Sequence, residues 1–204
     1  MNREFLVNII FLLGINLLIK PIYLFGIDRN VQNILPEGEY GLYAQILSLT
    51  YLFQILADFG IQNYNNRQIA QHRHLLSKYF STLISLKALL ALVFAIAVFT
   101  AGYILQYWEV NPLVLGILVL NQILLSYLLF LRSNISGLGM YRWDSFLSIL
   151  DKLVMIALLG SILWLGIGRS AFRLEWFVLA QTLSFVMGIS AALLLLRGHL
   201  PRFK

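Results

Sequence analysis

Residues 40–71 read YGLYAQILSLTYLFQILADFGIQNYNNRQIAQ, and this stretch sets the class of the protein. It opens as an apolar helix long enough to cross a bilayer. Yet it places Gln54 and Asp58 inside that span and closes on an Asn-rich, basic turn. A helix advances about 100° per residue, so Tyr40, Tyr43, Tyr51, Gln54 and Asp58 fall within about 60° of one line. An unpaired charge facing hydrocarbon costs at least ~2.5 kcal/mol. The stripe is therefore expected to face other helices or a watery cavity, with the rest of the chain as the wall around it.

Composition agrees with a bilayer as solvent. Of the 204 residues 60% are hydrophobic and 12% charged, with a mean hydropathy of +0.81. A soluble domain runs at about 45–50% apolar and about 25% charged residues. The chain has no Cys, which excludes disulfides, thiolate metal sites and a cysteine nucleophile. The net charge of +6 is spread between apolar spans rather than gathered in one patch, so membrane topology accounts for it and a nucleic-acid partner does not. The N-terminal run MNREFLVNIIFLLGINLLIKPIYLF starts like a signal peptide. It lacks an A-x-A-type cleavage site and is too long an apolar run, so it reads as a retained first span.

A span needs about 20 mostly apolar residues, and the sequence offers six, near 5–25, 40–61, 79–105, 112–131, 146–167 and 176–196. The expected fold is all-α and polytopic, a single six-helix unit over 1–204. Breakers stand between the spans at Pro36-Glu37-Gly38, Asn111-Pro112, Ser136-Gly137-Leu138-Gly139 and Gly166-Ile167-Gly168. Arg3, Arg67, Arg73, Lys78, Arg132, Arg142, Arg197, Arg202 and Lys204 fall on one side, against Arg29, Arg169 and Arg173 on the other. That bias places both termini in the cytoplasm. Trp108, Trp143, Trp164 and Trp176 sit near span ends, as an aromatic belt requires.

Each span carries polar marks. Asn16, Lys20 and Tyr23 share a face, and Pro21 after the lysine can kink the helix and free carbonyls. Lys20 lies ~24 Å from the cytoplasmic end of its span, where its ammonium can snorkel outward or join Asn16 in the cavity. Lys87 is ~13 Å deep in the third span and can likewise snorkel or turn inward. Asp58 competes between a structural salt bridge and a cavity role, and Asp58–Lys87 or Asp151–Lys87 pairs are in reach. Asp151 and Lys152 are adjacent, about 100° apart, so one is expected to face the bundle and the other the interface. Gln122 and Ser126 lie one turn apart, and Gln181, Ser184 and Gly188 follow i, i+3, i+7 spacing. Small pairs, Ala91–Ala95 and Gly188–Ala192, allow close helix packing. His72, His74 and His199 lack the spacing of metal ligands, and no nucleotide, zinc-hydrolase or serine-hydrolase motif occurs, so neither cofactor nor enzymatic chemistry is expected.

Two blocks then carry a resemblance. FGIDRNVQN with YGLYAQILSLTYLFQILADFGIQNYNNRQIAQ, and RSNISGLGMYRWDSFLSILDKLVMI, resemble Wzx-type polysaccharide flippases of the multidrug/oligosaccharidyl-lipid/polysaccharide exporter superfamily. The match is clearest over 25–156. It implies one lobe of a two-lobed flippase, with an undecaprenyl-diphosphate-linked oligosaccharide passing between lobes by alternating access across the bacterial inner membrane. The exported product would be a surface polysaccharide such as O-antigen or the glycan of lipopolysaccharide. The partners implied are membrane lipid, the lipid-linked oligosaccharide, and a C-terminal lobe or second copy. An electropositive cavity for the diphosphate is also implied, which suits Lys20, Arg29 and Lys87, with Gln54, Asp58 and Asp151 as further cavity residues. A drug or small-molecule cation antiporter of the same fold, and a non-transporting scaffold in a glycan-assembly complex, are the alternatives. The topology is open to test: a reporter active only in the periplasm, fused after Lys204, is expected to be silent, and strong periplasmic signal there refutes the orientation.

Overall fold

The structure is a computed structural model and describes residues 14–165 and 172–198. The described residues form helices and turns with no strand. Hydrocarbon offers no partner for backbone N–H and C=O groups, so a chain this apolar satisfies them within helices.

The first helix, α1, covers 14–34 and runs through Pro21. Its irregularity comes three residues later, in a π-helical turn at Leu24–Asp28 closed by the Arg29 N–H on the Leu24 carbonyl. Arg29–Ile34 then completes the helix. Leu35 is extended, as a residue before proline prefers, and Gly38 turns the chain at φ +89°. Helix α2 spans Glu39–Phe53 and tightens into a 3₁₀ turn at Gln54–Ala57. The chain breaks there, with Phe59 at φ 45° and Gly60 at φ 78°. Helix α3 follows at Ile61–Gln71, then α4 at Leu75–Ile104 and the short α5 at Tyr107–Val110. Helix α6, Pro112–Gly137, starts with Asn111 accepting the Val114 N–H at 3.1 Å and with Pro112 in its first turn, a strong start signal. Helices α7, Tyr141–Leu165, and α8, Leu174–Leu196, close the bundle.

Among the described residues, five helical segments are long and apolar enough to cross a membrane: Glu39–Ala57, Lys78–Ile104, Pro112–Gly137, Tyr141–Trp164 and Leu174–Leu196. The chain is an all-α polytopic membrane protein. The first expected span, 5–25, lies partly outside the described residues. Two expectations are corrected. The span expected at 40–61 ends at Ala57, because the 3₁₀ turn and break intervene. The Asn-rich segment expected as a turn is the helix α3, whose Ile61, Asn65 and Ile69 lie at i, i+4, i+8 and turn toward the bundle.

Helix α6 is the central wall. It packs most extensively on α8 and also meets α2, α3, α4 and α7. The α6–α8 approach is close because Gly188 faces Leu128, whose side chain lies 3.2 Å from where a Cβ would stand. Ala192, four residues on, is fully buried. One apolar cluster at the α1–α2 turn end gathers Ile27, Ile46, Phe94, Leu115 and Phe177, and a second at the opposite end gathers Ile69, Phe80, Phe130, Ile135 and Leu147. Leu89, Leu92 and Ile96 on α4 and Leu179, Leu183 and Val186 on α8 face outward, as lipid contact requires.

Helix α3 is fastened to the last turns of α6. Asn65 Nδ2 donates to Ser133 Oγ at 3.2 Å and Asn134 Oδ1 at 3.0 Å, all three side chains being buried. Gly137 lets the helices touch: a Cβ there would stand 2.9 Å from Ile69 Cβ and 3.1 Å from the Asn66 carbonyl oxygen. Across the next turn Arg132 Nε donates to Asp144 Oδ1 at 2.7 Å, joining α6 to α7. Gly137→Ala is therefore expected to destabilise the fold by about 1–3 kcal/mol, since overpacking forces backbone shifts. Gly116→Ala, with open space around its Cβ position, is expected to gain about 0.5–1 kcal/mol from helix propensity alone. Unfolding in micelles, followed by circular dichroism, separates the two.

Candidate functional site

The polar stripe of α2 lines two cavities that follow one another along α2 and α6. The first, about 250 Å³, is walled by Tyr40, Tyr43 and Tyr51 of α2, Tyr23 and Asp28 of α1, and Asn121 and Gln122 of α6. Asp151 and Lys152 of α7 and Gln181 and Ser184 of α8 complete it. The second, about 390 Å³, opens at the α2 break and is lined by Tyr51, Gln54, Asp58, Gln62, Asn63 and Ser126. Tyr51 belongs to both, and the one-turn spacing of Gln122 and Ser126 gives each cavity one of them. All five residues of the α2 stripe thus face a cavity.

The break between α2 and α3 is held by Lys87. Its ammonium donates to Asp58 Oδ1 at 2.9 Å and to the Ala57 carbonyl at 3.3 Å, 5.8 Å from the Phe130 ring centroid. Lys87 is 1% exposed and Asp58 26%, so the lysine is wholly behind the wall while the carboxylate reaches the second cavity. Snorkelling is thereby excluded. Ser126 Oγ donates to the same Ala57 carbonyl at 3.0 Å. That carbonyl ends the 3₁₀ turn and has no helical partner beyond the break, so α4 and α6 supply its donors. Asp58 Oδ2 lies 3.4 Å from the Gln62 amide in the first turn of α3, where free N–H groups and the helix dipole favour an anion.

The first cavity, the upper of the two with the second as the lower, is wired by amides. Asn121 Nδ2 donates to the Val178 carbonyl at 3.0 Å, and Thr182 Oγ1 donates to Asn121 Oδ1 at 2.7 Å. Gln181 Nε2 donates to the Tyr43 hydroxyl at 2.8 Å, and Tyr40 donates to Asp28 Oδ2 at 2.8 Å. Gln122 Nε2 is buried and has no hydrogen-bond partner among the described residues.

Of the residues singled out in the sequence, Gln54 and Asp58 line the lower cavity and Asp151 the upper. Lys87 pairs with Asp58 and not Asp151. Asp151 pairs with Lys152 instead, at 3.1 Å, and both line the upper cavity. The expected divergence of these neighbours fails because the lysine stem is long and flexible enough to fold back, carrying its ammonium to 4.5 Å from the Tyr23 ring centroid. Lys20 and Arg29 are exposed and line neither cavity. Asp28, the neighbour of Arg29, lies inside. In a regular helix Tyr23 and Asp28 stand about 140° apart, whereas a turn with i→i+5 bonding stacks them on one face. Asn121 was also missed; its position beside Gln122 in an apolar span was the available signal.

A bundle with apolar outer faces and polar groups gathered along an inner groove defines a polytopic membrane protein with a polar interior path. A family model described as polysaccharide biosynthesis protein matches residues 5–204. The chain belongs to that family, the family of Wzx-type flippases and exporters. No curated protein and no solved structure matches it significantly.

Removing one member of a buried ion pair strands the other. Lys87→Ala is expected to cost about 3–5 kcal/mol of stability. Adding Asp58→Asn should recover part of that loss, with a coupling of about 1–3 kcal/mol. A double-mutant cycle in micelles measures it; strictly additive effects would show that the contact does not hold the break.

Proposed function

We propose that the chain moves an undecaprenyl-diphosphate-linked oligosaccharide across the bacterial inner membrane for surface polysaccharide export. The observation that carries this reading is the convergence of α1, α2, α6, α7 and α8 on two adjoining polar-lined cavities inside an apolar bundle. Membership of the polysaccharide biosynthesis protein family supports it. In this reading the lobe lies with both termini in the cytoplasm and the lipid tail stays in hydrocarbon while the glycan follows the groove. Intramembrane polar groups are tolerated where they line such a path. An opposing surface, whether a second lobe, a separate subunit or a second copy, closes the groove, and rocking of one unit against the other gives alternating access. Lys20 and Arg29, exposed on α1, are the cations left to meet the diphosphate, since Lys87 is committed to Asp58. The chain's own residues bind and orient, and no bond is made or broken.

The test uses cells whose surface glycan depends on this protein. Asp58→Asn is expected to lower surface glycan several-fold, well beyond any fall in protein abundance, and Lys87→Ala to lower glycan and abundance together, with lipid-linked intermediate accumulating on the cytoplasmic face in each case. Normal export by both variants sinks the reading. Lost drug efflux with normal glycan would favour an antiporter.

A further inference from the structure

The charges around the groove do not match an acidic cargo. Among the described residues lining the two cavities there are three carboxylates, Asp28, Asp58 and Asp151, and a single cation, Lys152. Lys152 is already held by Asp151 at 3.1 Å, and Lys87 lies behind the wall on Asp58. A carboxylate entering the groove would therefore meet like charge and find no free cation, an arrangement that discriminates strongly in a site of low dielectric. What the walls offer in quantity is neutral hydrogen bonding: tyrosine hydroxyls beside tyrosine rings, and side-chain amides that both donate and accept.

A second observation points to a ligand. Gln122 is 3% exposed, lines the upper cavity, and its Nε2 has no acceptor. A buried donor left unmade is costly, and an acceptor delivered into the cavity would complete it. We infer that these cavities take the neutral, hydroxyl-rich part of the glycan and select against acidic sugars. Gln122 donates to a sugar oxygen, and Asp28, the lining carboxylate without a cation partner among the described residues, is the discriminating charge. The inference rests on the flippase reading and narrows its substrate class. The diphosphate is then met elsewhere, and the volumes, about 250 and 390 Å³, leave room for a sugar ring in each cavity.

The test compares three probes on the purified chain in detergent by microscale thermophoresis: a polyprenyl-diphosphate-linked neutral trisaccharide, the same lipid with one hexose replaced by a hexuronic acid, and polyprenyl diphosphate without sugar. The neutral probe is expected to bind about tenfold tighter than the acidic one. Gln122→Leu should weaken the neutral probe about fivefold and leave the sugar-free lipid unchanged, the loss of one hydrogen bond to ligand. Its thermal unfolding should match or exceed that of the parent, because the orphan donor is gone. Asp28→Asn should narrow the gap between neutral and acidic probes. Equal or tighter binding of the acidic probe, or indifference of the neutral probe to Gln122→Leu, overturns the inference while leaving the flippase reading in place. Failure of all three probes to bind overturns both.

Discussion

A lysine ammonium inside an apolar bundle needs a reason to be there, and Lys87 has two: a carboxylate and a carbonyl that nothing else would fully satisfy. The 3₁₀ turn ending at Ala57 leaves backbone groups without helical partners, in a region where hydrocarbon cannot supply them. Lys87 from α4 and Ser126 from α6 converge on that one oxygen, so the interruption of α2 becomes the point where three helices are tied. The ion pair is one part of this. Buried pairs seldom add much stability over apolar packing, but they fix geometry where a partnerless charge would be intolerable. Here the geometry fixed is the angle at which α3 leaves α2, and with it the mouth of the lower cavity.

Helix α6 does for the interior what Lys87 does for the break. Its Asn121, Gln122 and Ser126 meet the cavities, while Ser133 and Asn134 hold Asn65 of α3. One continuous helix thus carries both the floor of the groove and the anchor of the helix at its end. Displacement of α3 and reshaping of the groove are mechanically linked through it, the kind of packed two-element contact on which rigid-body motions turn.

Much of this was legible in the sequence. The α2 stripe follows from helical period plus the cost of charge in lipid, and its five residues face the cavities as that argument demands. Five helical segments among the described residues overlap spans expected from hydropathy, with ends off by a few residues because stretches holding polar residues at 77–78, 132–137 and 141–145 continue helices that the apolar run does not require. What stayed hidden depended on local departures from ideal geometry. The 3₁₀ turn and break divided one expected span, and α3 was hidden because the centre of its inward face is Asn65, a polar residue satisfied by Ser133 and Asn134 far away in sequence. The expectation of an electropositive cavity came from resemblance and counted basic residues without knowing which faced inward. Folding sent Lys20 and Arg29 out and set Lys87 against Asp58.

The π-helical turn at Leu24–Asp28 constrains how this protein can change over time. Such a turn is one residue wider than the regular helix, and it needs no particular side chain to exist. Loss of a single residue from that segment would leave a regular apolar helix in which Tyr23 and Asp28 become i, i+4 neighbours, about 40° apart, so the cavity face survives. Straightening the turn without a deletion would instead set them about 140° apart and carry Asp28 away from Tyr40. Substitutions across Leu24, Phe25 and Gly26 can drift among apolar residues within the limits set by the Trp164 ring on Gly26. What selection must preserve at this point of the chain is the face on which Tyr23 and Asp28 meet, whether a wide turn or a regular one delivers it.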